Sequence, residues 1–131
     1  MWRPRLSLQE FIEATREAVE SLPPPFQQWL ENVAVDVEDE PSEHDLSSID
    51  GEEEFDPDEE ELFGLFIGTP ITEQHFNEHT WNRIKIFRLP IERSCDSREE
   101  IVKQIRDTVL HELAHHFGYS EEDLDEFEST R

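Results

Sequence analysis

The chain has 131 residues, the size of one domain with a modest hydrophobic core. Only 34% of the residues are hydrophobic, and a net charge of −23 with a pI near 4.3 argues against binding to nucleic acid or anionic membranes, since both attract basic patches. One cysteine excludes an internal disulfide framework, and the lack of an apolar run of about 18 residues or of a signal-like segment leads us to expect a cytoplasmic protein.

The N-terminal region is predicted to be a helix preceded by a short arm. Residues 2–5 are basic and aromatic, and we expect them to be loosely ordered. Ser7 followed by Glu10 is typical of a capping box, and the apolar spacing that follows predicts an amphipathic helix over residues 8–21. The three prolines at 23–25 end this helix, because proline lacks the backbone donor that a helix interior requires.

A strand and then an acidic block come next. Alternation over Val33–Val37 predicts a strand with its valines inward. From Asp36 to Glu61 there are 15 acidic residues and no lysine or arginine in 26 positions. Such charges repel one another and bury little, so we expect a flexible, solvated loop at residues 38–61. A role of this loop as a gate or as a surface for a basic partner remains open.

Two further strands are predicted in the second half of the chain. The compact apolar run Leu62–Ile67 is interpreted as a central strand. Residues 83–89 alternate, with Ile84 and Ile86 on one face, which predicts a half-buried strand that Pro90 stops.

A long amphipathic helix is predicted from about Ser97 to Phe117, with Asp96 or Ser97 as its N-cap. Its apolar residues recur at three- and four-residue spacing: Ile101, Val102, Ile105, Val109, Leu113 and Phe117. At about 100° per residue, His111 and His115 fall roughly 150° from the centre of this face. The two histidines are therefore expected to point away from the packing face of the helix, towards a cleft.

The same helix carries the sequence H-E-x-x-H as His111-Glu112-Leu113-Ala114-His115. Residues four apart lie one turn apart on one helix face, so two imidazoles can hold one zinc ion. The glutamate beside the first histidine is placed to act as a base. This pattern predicts a site with one zinc ion per chain, held by His111 and His115, with Glu112 as the catalytic base.

A third zinc ligand is expected after the helix turns at Gly118. Glu121 lies ten residues after the first histidine, which matches the ligand spacing of the metzincin motif. Glu121 is therefore the predicted third ligand, and its neighbours Glu122 and Asp123 remain alternatives.

Three stretches together resemble the small bacterial zincin-like metallopeptidase family: Leu62–Pro70, Ile84–Arg93 and Val109–Gly118. The likeness extends from about Ser7 to Phe127, and its last stretch is the most specific. It implies a single domain over residues 1–131 with an α+β, minimal zincin-like fold. In that fold an N-terminal helix and a small mixed sheet pack on the helix that carries the metal motif.

The resemblance also implies a site at His111, Glu112 and His115, and a strand that runs antiparallel to a bound peptide. The strand at 83–89, with a free edge, is the candidate for that role. No residue that stabilises an oxyanion stands out, and His75, His79 and Arg88 are weak candidates.

The leading hypothesis is a zinc-dependent peptidase acting on peptides or proteins, with cationic substrates favoured by the negative charge. The alternative is a metal-stabilised interaction module without turnover, whose acidic loop binds a basic partner, because a fold and motif do not fix function. An acidic imitation of nucleic acid ranks last, because it leaves the helix motif as coincidence.

Overall fold

The computed structural model describes residues 2–31, 33–47, 61–67 and 82–116, which contain five helices and a three-stranded sheet. In chain order these are α1 (Leu8–Glu20), α2 (Pro24–Leu30), β1 (Val33–Glu38), α3 (Glu43–Ser47), β2 (Gly64–Ile67), β3 (Asn82–Phe87), α4 (Arg88–Ser94) and α5 (Arg98–His116). The predicted α+β class with a small mixed sheet is confirmed.

The described sheet has the order β1-β3-β2, with β3 in the middle. β1 runs parallel to β3, with Val35 opposite Ile84, and β2 runs antiparallel to β3, with Leu65 opposite Lys85. The prediction that the strand at 83–89 has a free edge is therefore wrong, since both of its edges are paired. The predicted central strand at 62–67 instead lies at an edge of the described sheet.

One layer of helices covers one face of this sheet. α5 packs against α1 and against β2 and β3, and alternate residues of β3 point into the space between. The core comprises Leu6, Phe11, Ala14, Ala18, Leu22, Phe26, Ile84, Ile86, Ile91, Cys95, Ile101, Ile105, Val109, Leu110, Leu113 and Ala114. Val33, Val35 and Val37 of β1 pack against this core, half-buried. Burial of the lone thiol of Cys95 raises its pKa, which agrees with a structural role.

The predicted capping box at the start of α1 is confirmed. The Ser7 hydroxyl accepts a hydrogen bond from the Glu10 N–H at 3.1 Å, and the Glu10 carboxylate accepts one from the Ser7 N–H at 2.9 Å. The Ser7 hydrogen bonds lower the pKa of the Glu10 carboxyl. These bonds satisfy donors that a helix N-terminus otherwise leaves unpaired.

Pro90 does not simply stop the third strand, because it lies in the first turn of α4. The first turn of a helix needs no intrahelical N–H donor, so proline is tolerated there. The Leu89 N–H in the same turn donates to the Asp39 carbonyl at 3.0 Å. The chain therefore passes directly from the central strand into a short helix.

This helix also holds the N-terminal arm, which was predicted to be loosely ordered. The Glu92 carboxylate, 3% exposed, accepts hydrogen bonds from the Arg5 and Leu6 N–H groups at 3.1 and 2.8 Å. The guanidinium of Arg93 lies 5.8 Å from the centroid of the Trp2 ring, within cation–π range. The arm is fixed because it meets a buried carboxylate that is distant in sequence.

The acidic block, predicted as a solvated loop over 38–61, contains structured residues. Its first part completes β1 and forms α3, and residues 48–60 lie outside the described residues. Asp45 on α3 is only 1% exposed, and the Lys85 ammonium donates to its Oδ1 at 2.9 Å. The other oxygen, Oδ2, accepts a hydrogen bond from the Ser42 N–H at 3.0 Å. One carboxylate of this block is thus buried, and it is paired there with a cation of the central strand.

The pKa values of this pair follow from its surroundings. Burial works to raise the pKa of Asp45, but hydrogen bonds from Ser42 and Lys85 outweigh it and hold the pKa below its usual value. The hydrogen bond to Asp45 raises the pKa of Lys85 above its usual value. Both groups are therefore charged at neutral pH.

Candidate metal centre

The predicted motif lies in the last turns of α5, a regular helix of 19 residues. Ser97, one of the two predicted N-caps, directly precedes the first residue of the helix, and its hydroxyl accepts a hydrogen bond from the Glu100 N–H at 3.1 Å. His111 and Glu112 are both half-buried. Position 115 follows within the same helix, so its backbone lies one turn beyond His111.

The face of α5 that carries the motif meets the sheet one turn earlier. At about 100° per residue, positions 108, 111, 112 and 115 fall within an arc of about 100°. Thr108, on this face, is 8% exposed and packs beside β2. The turn that precedes the motif therefore lies against the sheet, and His111 and Glu112, which follow on the same face, are half-buried.

Helix and strand approach closely at this point. A Cβ atom added to Gly64 of β2 would lie 2.4 Å from Thr108 Cγ2 and 3.1 Å from the Lys85 carbonyl oxygen. Gly64 is part of regular strand backbone, so the need for glycine comes from space. This contact brings β2 next to the helical turn that precedes His111.

Two of the three expected protein ligands, His111 and His115, have donor atoms that suit zinc. Neutral imidazole nitrogens one helical turn apart are ligands that zinc accepts, and α5 is helical through both positions. The predicted third ligand, Glu121, and its alternatives lie outside the described residues. Within the described ranges no group of three His, Cys, Asp or Glu side chains is close enough to hold a metal. Glu121 as a ligand stays a prediction.

The weak oxyanion candidate Arg88 has structural partners. Its guanidinium donates to Asp39 Oδ1 and to the Leu6 carbonyl oxygen, both at 3.1 Å. It therefore joins the N-terminal arm to the residues that follow β1. The other two candidates, His75 and His79, lie outside the described residues.

Sequence reasoning missed Gly64 and Thr108 as neighbours of the site. The sequence offered a weak signal, because Gly64 interrupts an otherwise continuous apolar strand. A glycine inside a strand is typical of a place where another backbone or side chain approaches closely.

Comparison with known proteins identifies the family of this chain. The sequence profile of the zincin-like metallopeptidase family matches residues 30–130. The chain belongs to this family. Members of zincin families generally bind zinc, and membership indicates a hydrolase.

This zincin-like protein has the same fold as a solved structure of another protein. That protein is a conserved hypothetical protein from Thermus thermophilus, and the two compare with a TM-score of 0.53 and 19% sequence identity. The likeness covers 86% of this chain and 94% of the other. The predicted minimal zincin-like fold is thereby confirmed.

A comparison with curated proteins gives no match. Among the helices of the described ranges, none combines the length and apolar character needed to span a membrane.

Proposed function

We propose that this zincin-like protein is a zinc-dependent peptidase that holds one zinc ion through His111, His115 and Glu121. The observation that supports this best is the position of His111 and Glu112, half-buried on a regular helix beside an edge strand of the described sheet. Family membership supports the metal and the class of reaction. The ligand set rests on the motif spacing.

A zinc ion bound there supplies Lewis acidity, which lowers the pKa of a water molecule and polarises a carbonyl oxygen. Glu112 follows His111 directly and lies on the same side of α5. Its carboxylate accepts the proton of the attacking water and passes it to the leaving amine. Glu112 thus acts first as general base and then as general acid. Glu112 is half-buried, which limits the access of bulk water to this carboxylate.

The proposed substrate is a peptide or an unfolded protein segment, with cationic sequences favoured. A net charge of −23 attracts positively charged chains and repels acidic ones. Cleavage of a basic peptide is therefore expected to slow as salt is added. At 0.1 M salt, the attraction between exposed charges more than about 10 Å apart is largely screened.

The acidic block favours a second candidate, a metal-stabilised module that binds a basic partner without turnover. The first part of the block has regular secondary structure, and some of its carboxylates are exposed while they lie close to the sheet. Such a module binds zinc and basic peptides but cleaves neither folded nor unfolded chains.

The test is the hydrolysis of a peptide library by the zinc-loaded protein and by Glu112→Gln. The amide keeps the size of the side chain but cannot accept the proton, so we expect zinc content to stay and turnover to fall by at least about 100-fold. Glu99→Gln, exposed in the first turn of the same helix, is the matched control and should cleave like the wild type.

Turnover in Glu112→Gln at the wild-type rate would remove Glu112 as the base. No cleavage by the zinc-loaded wild type, together with binding of basic peptides, would favour the module.

A further inference from the structure

The contact between Gly64 and Thr108 lies within one helical turn of the motif. Thr108 precedes His111 by three residues and Glu112 by four, the spacings that place side chains on one helix face. A helical turn rises about 5.4 Å, so the contact with β2 lies only about one turn from the two motif residues. A displacement of β2 at this contact therefore changes the surroundings of both residues.

The Thr108 side chain is fixed in direction by hydrogen bonds. Its hydroxyl donates to the Gln104 carbonyl oxygen at 2.8 Å and accepts from Gln104 Nε2 at 3.2 Å. With the hydroxyl held against the helix, the methyl group Cγ2 points at Gly64 and cannot rotate away without breaking these bonds. Helix and strand therefore meet through a rigid methyl group and a bare backbone.

The space for a larger residue at position 64 can be estimated. Ordinary van der Waals contact begins at 3.4 Å, whereas an added Cβ would lie 2.4 Å from Thr108 Cγ2, so the surfaces must separate by about 1 Å. The added atom also lies 3.1 Å from the Lys85 carbonyl oxygen, in the backbone of the central strand, which limits movement to that side. The strand then moves away from α5.

We propose that Gly64 and Thr108 are positioning residues for the metal centre, because their contact sets the separation between β2 and the helical turn that carries His111 and Glu112. The inference rests on the proposed function, since it assigns these residues to the same zinc site. Neither residue touches the metal. They act by holding the strand and the ligand-bearing turn at a fixed distance.

The experiment compares Gly64→Ala, Thr108→Ser and the double variant Gly64→Ala/Thr108→Ser. Serine keeps the hydroxyl and its bonds to Gln104 but lacks the methyl group that the added Cβ would meet. Ile101→Ala is the control for general destabilisation, because Ile101 is fully buried on the same helix, ten residues before His111.

Three quantities are measured, each starting from metal-free protein: its thermal stability, its Zn²⁺ dissociation constant by competition with a chromogenic chelator, and its visible absorption after Co²⁺ is added. Gly64→Ala is expected to weaken Zn²⁺ binding by roughly tenfold and to alter the Co²⁺ spectrum, since residues that orient ligands typically contribute 10- to 100-fold. Thr108→Ser alone lacks the methyl group of the contact and is expected to weaken Zn²⁺ binding by about threefold, less than Gly64→Ala, because it leaves a gap and introduces no clash.

The double variant distinguishes positioning from general stability. It is expected to recover Zn²⁺ affinity to within about threefold of the wild type, because contacting residues are not additive. Ile101→Ala should lower thermal stability and leave the Co²⁺ spectrum unchanged. If Gly64→Ala does not fold, recovery of folding and Zn²⁺ binding in the double variant carries the same support.

Several results would overturn the inference. These are wild-type Zn²⁺ affinity in Gly64→Ala, a double variant as weak as Gly64→Ala, or equal loss of affinity in Ile101→Ala at equal loss of stability. If the wild type itself takes up no Zn²⁺, the proposed function fails, and this inference fails with it. If the wild type binds Zn²⁺ and Gly64→Ala matches it, only the inference fails.

Discussion

The ion pair between Asp45 and Lys85 offers a sharp test of how the acidic block is attached to the fold. Asp45→Asn removes the charge but keeps the shape of the side chain. The two charged atoms are 2.9 Å apart, and the side chains are 1% and 17% exposed. Removal of one charge therefore leaves the other in a largely buried place.

The magnitude follows from this geometry. At 2.9 Å and an effective dielectric constant of about 20, the gross attraction is about 6 kcal/mol, part of which offsets the desolvation of both groups. Breaking a buried pair typically costs 3–5 kcal/mol. Glu38 Oε2 lies 3.4 Å from Lys85 Nζ and remains as a partner, so we expect the lower end, about 3 kcal/mol.

The assay is urea unfolding of Asp45→Asn, Lys85→Met and the double variant. The double variant should lose about 2 kcal/mol less than the sum of the single changes, since it leaves no unpaired charge. Arg83→Met is the matched control, because Arg83 lies on the same strand as Lys85. Arg83 pairs with Asp36 at 3.4 Å, and both of these side chains are nearly half exposed. It should cost less than about 1 kcal/mol. Strictly additive losses, or an equal loss in the control, would refute the reasoning.

Three further predictions concern pH and buried charge. Since the folded pKa of Asp45 lies below its usual 3.8, its contribution is present above pH 3.8 and is lost as pH falls below it, so the stability gap between wild type and Asp45→Asn should close in acid unfolding. Glu92→Gln should lower the unfolding free energy by about 2 kcal/mol, because an amide offers one oxygen to the Arg5 and Leu6 N–H groups, and hydrogen exchange at Leu6 should speed up. An unchanged exchange rate would contradict this. Arg106 is 8% exposed and its Nε and Nη2 find no hydrogen-bond partner in the described structure, so Arg106→Met should raise stability by about 1 kcal/mol in the same urea assay. A loss of stability would instead mean that the guanidinium has a favourable role.

Local patterns in the sequence predicted most of the elements. The capping box of Ser7 and Glu10 marks where α1 begins, and the apolar spacing marks α5, because both signals depend on residues within one or two turns. The three strands were also predicted from local patterns. Their order in the sheet was not predicted correctly, because alternation indicates which face of a strand is buried but not which strands lie beside it.

The features that were missed depend on contacts between distant residues. Asp45 becomes buried only because Lys85 meets it from the central strand, and the N-terminal arm is fixed only because Glu92 accepts its N–H groups. Composition treats such carboxylates as solvated, since an acid in isolation is costly to bury. At the candidate metal centre, the motif predicted which residues of the helix are involved, whereas the approach of β2 became visible only in the structure.

The central claim is that His111 and His115 hold zinc. Its most direct measurement is the zinc content of the purified, untagged protein, of His111→Ala and of His115→Ala, with His44→Ala as control because His44 is exposed on α3. The account predicts close to one zinc ion per chain in the wild type and the control, and a loss of zinc in both site variants. A wild-type protein that takes up no added zinc, or site variants that keep it, would contradict the account.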